Sequence, residues 1–203
     1  MGLLKQAGDL VYTFRFLTLL VTPFDKTEAY KAGIIDENGK RLKSFNLDSM
    51  ENRMKYKDAY TPFHRLVFNV KRLMGKVPGG KSRLASYAAA LYLIKEKFSV
   101  SEKKLLSGLK EIGVDPTDLM VEESQWFLLE DGRLSPGVYK TTINKVFNST
   151  CDEMVYPNDK IMVDENAHPV GNIFGINIYE ATHIRTKQKI YITANEIVRW
   201  KKV

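Results

Sequence analysis

The chain has one cysteine, three histidines and seven prolines in 203 residues. With Cys151 alone there is no internal disulfide, and His64, His168 and His183 are too scattered for the ligand spacing of a structural zinc site. No apolar run reaches the ~20 residues that a bilayer span needs. The longest greasy stretch, "FRFLTLLV", is interrupted by Arg15. The opening residues lack the ordered charged, apolar and small-residue regions of a secretory signal, and Gln6 stands where a myristoylation motif requires Ser or Thr. These absences point to a cytosolic setting without a membrane span. There is no internal repeat and no low-complexity tract.

What is present is enough apolar material, 44% of the chain, to fill one medium core or two small ones. Lys and Arg outnumber Asp and Glu by 31 to 24, a formal charge of +7. That excess favours acidic partners such as nucleic acid, an acidic protein or an anionic surface, and also suits a merely solvated basic surface.

The periodicity changes along the chain. Leu3, Leu4, Ala7, Leu10, Val11, Phe14, Leu17, Leu20 and Val21 recur at steps of three and four, one face of a helix that Thr22-Pro23 ends. A short helix through Tyr30 stops at Gly33, and Asn38-Gly39 reads as a tight turn between two extended pieces. Residues 49–60 read as a charged helix. In "TPFHRLVFNVKRLMGK", Thr61 is the N-cap and Pro62 the first helical position, Leu66, Val67, Val70, Leu73 and Met74 form the buried face, and His64, Arg65, Lys71 and Arg72 form a basic edge. "KSRLASYAAALYLIKEKF" is a further strong helix, followed by "SEKKLLSGLKEIGV" with Ser101 as cap and Gly113 as stop.

Beyond residue 115 the pattern turns to alternation. "QWFLLEDGRL", "KIMVDE", "GNIFGINIYEA", "QKIYIT" and "EIVRW" read as short strands, with Ile173, Ile176, Ile178, Ile190 and Ile192 inward and Gly171 and Gly175 at sharp bends. The expected class is α+β: a helical domain at 1–115, a connecting segment at 116–140, and a small antiparallel β-barrel of SH3-like type at 141–203.

"GKVPGGKS", Gly75 to Ser82, matches the phosphate-loop pattern G-x-x-x-x-G-K-[ST] at Gly75, Gly80, Lys81 and Ser82. Such a loop joins a buried parallel strand to a helix, and Lys81 would reach the phosphates while Ser82 held Mg²⁺. The segment before Gly75 has a capped helical pattern, and Asp164, the nearest metal-holding candidate, lies in the β-rich tail without βα alternation. The expectation is an interhelical turn, with no cofactor, no metal and no catalytic residue. Arg65, Lys71, Arg72, Lys76, Lys81 and Arg83 are expected to share one basic surface around that turn.

"TPFDKTEAYKAGIIDENGKRLK", "YTPFHRLVFNVKRLMGKVPGG" and "RLASYAAALYLIKE", in that order, resemble a conserved head protein of T4-like tailed phages, and the resemblance implies a place in the prohead core. The likeness spans residues 1 to 98, and "AYKAGIIDENGK" carries most of it. It implies a structural protein that works in multiple copies by contact with scaffold, portal or shell components, located in the prohead or virion and in the host cytoplasm during assembly. It brings no catalytic residues. A nucleic-acid-binding accessory protein is the alternative, with DNA as partner, and a P-loop nucleotide-dependent enzyme comes third.

Overall fold

A computed structural model describes residues 2–76, 83–114 and 127–200. Among the described residues six α-helices precede the sheet: α1 (Gly2–Val21), α2 (Glu28–Lys31), α3 (Met50–Ala59), α4 (Pro62–Lys76), α5 (Arg83–Phe98) and α6 (Glu102–Glu111). Their ends follow local chemistry. The Ser49 hydroxyl accepts from the amide of Asn52 at 3.1 Å to start α3, and Gly113, at φ +79°, follows α6 in the left-handed conformation that only glycine adopts cheaply.

The C-terminal part holds eight short strands: β1 (Gly137–Thr141), β2 (Lys145–Val146), β3 (Glu153–Val155), β4 (Lys160–Val163), β5 (Gly171–Ile173), β6 (Ile176–His183), β7 (Lys189–Ile192) and β8 (Ile197–Arg199). All pairings are antiparallel. One sheet runs β5-β6-β4-β1-β8, with β7 also on β6, and β2-β3 form a separate hairpin. The stretch "GNIFGINIYEA" is two strands rather than one, because Phe174 (φ +50°) and Gly175 (φ +81°) make a tight turn between β5 and β6.

The α+β class with helices first is what the periodicity implies, but the SH3-like barrel is not formed. No strand pairs β8 with β5 or β7, so the sheet stays open. Helix α5 packs on β5, β6 and β7 where a barrel would close. The Tyr92 hydroxyl donates to the Val170 carbonyl at 3.2 Å, and its ring lies so close to Gly171 that a Cβ there would run into it. Covering a sheet with a helix hides apolar surface as effectively as closing it.

Three clusters make up the interior. The largest joins Phe16 and Leu20 of α1, Leu66, Val67 and Val70 of α4, Tyr87, Leu91 and Ile94 of α5 and Leu105 and Leu109 of α6 to Val146, Cys151, Ile173 and Ile178 of the β-rich half. A second, around Tyr139, Phe147, Ile161, Tyr179, Ile190 and Ile192, lies within the sheet. Neighbours Ile178 and Tyr179 on β6 point into different clusters, as strand alternation requires. The third holds Ala29, Ile34, Ile35, Tyr60 and Phe68 under the 35–41 hairpin.

The helical face marked by spacing in α1 is largely the outward one. Leu10, Val11, Phe14 and Val21 are exposed, while Phe16 and Leu20 are buried. Gly108 of α6 is the reason: Phe16 and Leu17 press against it at a distance that leaves no room for a Cβ. That contact fixes the rotation of α1.

Candidate functional site

Helix α4 organises the site. Arg65 and Arg72 are seven residues apart, two turns, and so lie on the same side of the helix with Asn69 between them. That side faces the β2-β3 hairpin, whose turn and first strand residue supply Asp152 and Glu153. Arg65 pairs with Asp152 at 2.7 Å and donates to the Tyr56 hydroxyl at 3.2 Å. Glu153 accepts from Arg72 and Asn69 at one oxygen and from Asn144 at the other, at 2.7 Å. Burial alone would raise the Glu153 pKa, but the Arg72 charge and the three donors outweigh it and hold the carboxyl below its usual value.

Arg72 also donates to the Gly39 carbonyl, so one guanidinium ties α4 to both the 35–41 hairpin and β3. The hairpin is the turn expected at Asn38-Gly39. Asp36 caps it, accepting from the amides of Asn38 at 3.0 Å and Lys40 at 2.8 Å, and Gly39 has φ +74° with its Cα against the Phe24 ring. Lys71 stands over the same ring, 4.3 Å from its centre, and donates to the Thr22 carbonyl. Burial pushes its pKa down to about 8.

Between the hairpin, α4 and β3 lies a cleft of about 920 Å³. The Arg72–Glu153 pair neutralises its floor. Its rim carries Lys40, Arg41 and Lys43, none of which has an acidic ion-pair partner among the described residues, beside the carboxylates of Asp36 and Glu37, so that the cations exceed the carboxylates by three to two. Arg41 lies 5.2 Å from the centre of the Tyr56 ring. Exposed Met154 and Tyr156 give the cleft an apolar side. Charged rim, neutral floor and an apolar wall suit the binding of an extended acidic segment.

Of the residues expected to form a basic surface, Arg65, Lys71 and Arg72 are together on α4, but half-buried and bonded internally. Lys76 ends α4 and Arg83 begins α5. Gly80, Lys81 and Ser82 lie outside the described residues, as does the turn they belong to. Gly75 falls in the last turn of α4 and lines the cleft, so a helix precedes the motif where a phosphate loop has a strand. Asp164 follows β4 and lies 3.7 Å from Lys189. Among the described residues, no three His, Cys, Asp or Glu side chains are placed to hold a metal ion, and no helix is long and apolar enough to cross a membrane.

His64 and His183 are each held by a neighbouring threonine. The His64 ring bonds the Thr61 hydroxyl at 2.7 Å, and burial, with Arg15 nearby, lowers its pKa to about 4. His183 is buried on β6, with Thr186 at 2.7 Å.

Sequence reasoning missed Asp152, Glu153 and Asn144, because strands of two and three residues leave no alternation to read. It quoted Lys40, Arg41 and Lys43 within "DENGKRLK" without assigning them a role. Three cations within four residues after a tight turn were the available signal. Compared with family models, curated proteins and solved structures, the chain matches none.

Proposed function

We propose that the chain is a non-enzymatic assembly protein that works by contact, of the kind its resemblance to T4-like phage head proteins implies, and that the α4 cleft receives an acidic segment of another head component. The observation that carries the reading is the division of charge in the cleft. Arg65 and Arg72 are spent on Asp152 and Glu153 within the fold, whereas Lys40, Arg41 and Lys43 are exposed at the rim with no ion-pair partner among the described residues and outnumber the rim carboxylates, Asp36 and Glu37. A net charge of +7 steers acidic partners toward such a rim.

Lys71 adds a pH dependence. Its depressed pKa of about 8 means that this cation is lost as the pH rises through that value, so binding of an acidic segment weakens between about pH 7 and about pH 9.

Fluorescence anisotropy with a labelled Glu-rich peptide, at about 50 and about 200 mM salt, tests the reading. Saturable binding that weakens with salt and is lost in a Lys40→Glu/Arg41→Glu/Lys43→Glu variant is the expected result. Equal binding by the variant would overturn it. Random-sequence duplex DNA is the competitor, and a clear preference for DNA would favour the nucleic-acid reading instead.

A further inference from the structure

No asparagine but Asn38 is followed by glycine in this chain, and the pair stands at the rim of the cleft. Asn38 is exposed and lines the cleft in the same turn as Lys40. An asparagine before glycine readily loses its side-chain amide, because the glycine backbone is free to bring its nitrogen to the side-chain carbon and has no Cβ in the way. Solvent base takes the proton of the Gly39 N–H, the nitrogen bonds to Cγ of Asn38, and the Cγ–Nδ2 bond breaks, releasing ammonia that takes its proton from water. Water then opens the five-membered imide at one of its two ring C–N bonds, which leaves aspartate or isoaspartate at position 38.

In the folded hairpin the attacking nitrogen is engaged. The Gly39 N–H donates to the Asp36 carbonyl at 2.9 Å, and the Asn38 N–H to the Asp36 carboxylate at 3.0 Å. The Asn38 side chain donates to Glu37 at 3.3 Å. Arg72 holds the Gly39 carbonyl, and the Phe24 ring lies against the Gly39 Cα. Attack therefore goes through a hairpin that has opened, and opening is opposed by Arg72, which Glu153 keeps in place.

We propose that Asn38 is a site of spontaneous deamidation guarded by the Arg72–Glu153 clamp, and that the carboxylate it gains ends the preference of the cleft for acidic segments. The rim changes from three cations against Asp36 and Glu37 to three cations against three carboxylates. A segment seated in the cleft packs on the hairpin and keeps it closed. Chains in an assembly are thereby spared, while free chains lose their binding with time. The effect on binding rests on the cleft being the acceptor of acidic segments; the deamidation itself does not.

The full chain, its Glu153→Ala and Arg72→Gln variants and a synthetic peptide of residues 34–42 are kept in warm neutral buffer, and the mass gain that marks loss of the amide is followed by peptide mapping. Conversion should be fastest in the peptide and slowest in the wild-type chain. The two variants should run roughly 5- to 30-fold ahead of wild type, the factor by which loss of one such contact shifts an opening equilibrium. A wild-type rate equal to that of the peptide or of the variants would overturn the guard, and no conversion in any full chain while the peptide converts would overturn the site. Asn38→Asp, which carries the charge from the start, is titrated with the labelled Glu-rich peptide. Binding about two- to fivefold weaker than wild type at about 50 mM salt is expected, and equal binding would overturn the effect of the new carboxylate. A wild-type chain that does not bind the peptide at all would sink the cleft reading and the effect on binding together, whereas the mass measurement decides the site by itself.

Discussion

Two glutamates, one part-buried and one fully buried, face cations in this molecule, and their carboxyls are driven in opposite directions. Glu153, on the cleft floor, is held below its ordinary pKa, with three donors shared between its two oxygens. Glu196, in the turn before β8, is raised by burial, while its partner Lys145 at 2.6 Å is lowered. Glu196 is 1% exposed and one of its oxygens has no hydrogen-bond partner among the described residues. The other accepts from Lys145 and from the Thr193 amide. A cation alone does not decide the direction of a shift. The number of donors weighed against loss of water does.

The largest way to break this contrast is Glu196→Ala. It strands the Lys145 ammonium in the interior, and a loss of about 3–5 kcal/mol is expected in urea denaturation. Lys145→Met/Glu196→Leu should regain most of that loss, because an apolar pair needs no water. A double variant as unstable as the single one would show that the charges themselves hold the turn against β2.

Glu153→Ala comes next. It frees Arg72 and Asn144, which line the cleft and can take water instead, together with buried Asn69, so about 2 kcal/mol is expected. Loss of the clamp should also loosen the 35–41 hairpin, read as faster amide exchange at Lys40 and Leu42, whose amides bond Asp36 and Ile34.

The pH dependence sharpens the comparison. Glu153 has a folded pKa below its ordinary value of 4.5, so its stabilisation is present above that value and is lost as the pH falls through the folded pKa. Glu196 has a folded pKa above 4.5, so its contribution is present below that value and is lost as the pH rises through the folded pKa. Glu153→Gln should therefore flatten the acid limb of a stability profile between about pH 7 and about pH 4, and Glu196→Gln should steepen it. Parallel shifts would contradict the assignment of opposite directions.

The helices were legible where the chain punctuates itself. Pro23, Ser49, Thr61-Pro62, Ser101 and Gly113 mark ends that the structure keeps within a residue or so. The rotation of α1 was not legible, because both its faces are apolar and only the contact of Phe16 and Leu17 with Gly108, some ninety residues away, selects one. Of the strands, β4, β7 and β8 could be read from alternation, whereas β2 and β3 are too short to show any. The barrel expectation failed because closure depends on a pairing across the sheet, and α5 occupies that side instead. At the cleft, Arg72 was visible as a basic edge residue, but its commitment to Glu153, 81 positions on, is a product of the fold.

The smallest expected effect is at the clamp's outer end. Asp152 is nearly a third exposed, and Arg65→Gln should cost about 1 kcal/mol or less in the same denaturation assay. A loss matching Glu153→Ala would mean that the two arginines act as one unit.

Composition of purified particles tests the proposal made above, that the chain is a head component of a tailed phage and assembles through its cleft rim. Proheads and mature particles from a phage encoding the wild-type chain, and from one encoding Lys40→Glu/Arg41→Glu/Lys43→Glu, are compared by quantitative mass spectrometry. The account predicts the wild-type chain in proheads and severe depletion of the variant, with its fold intact by circular dichroism. Equal copy numbers of wild type and variant, or absence of the wild-type chain from both particles, would contradict it.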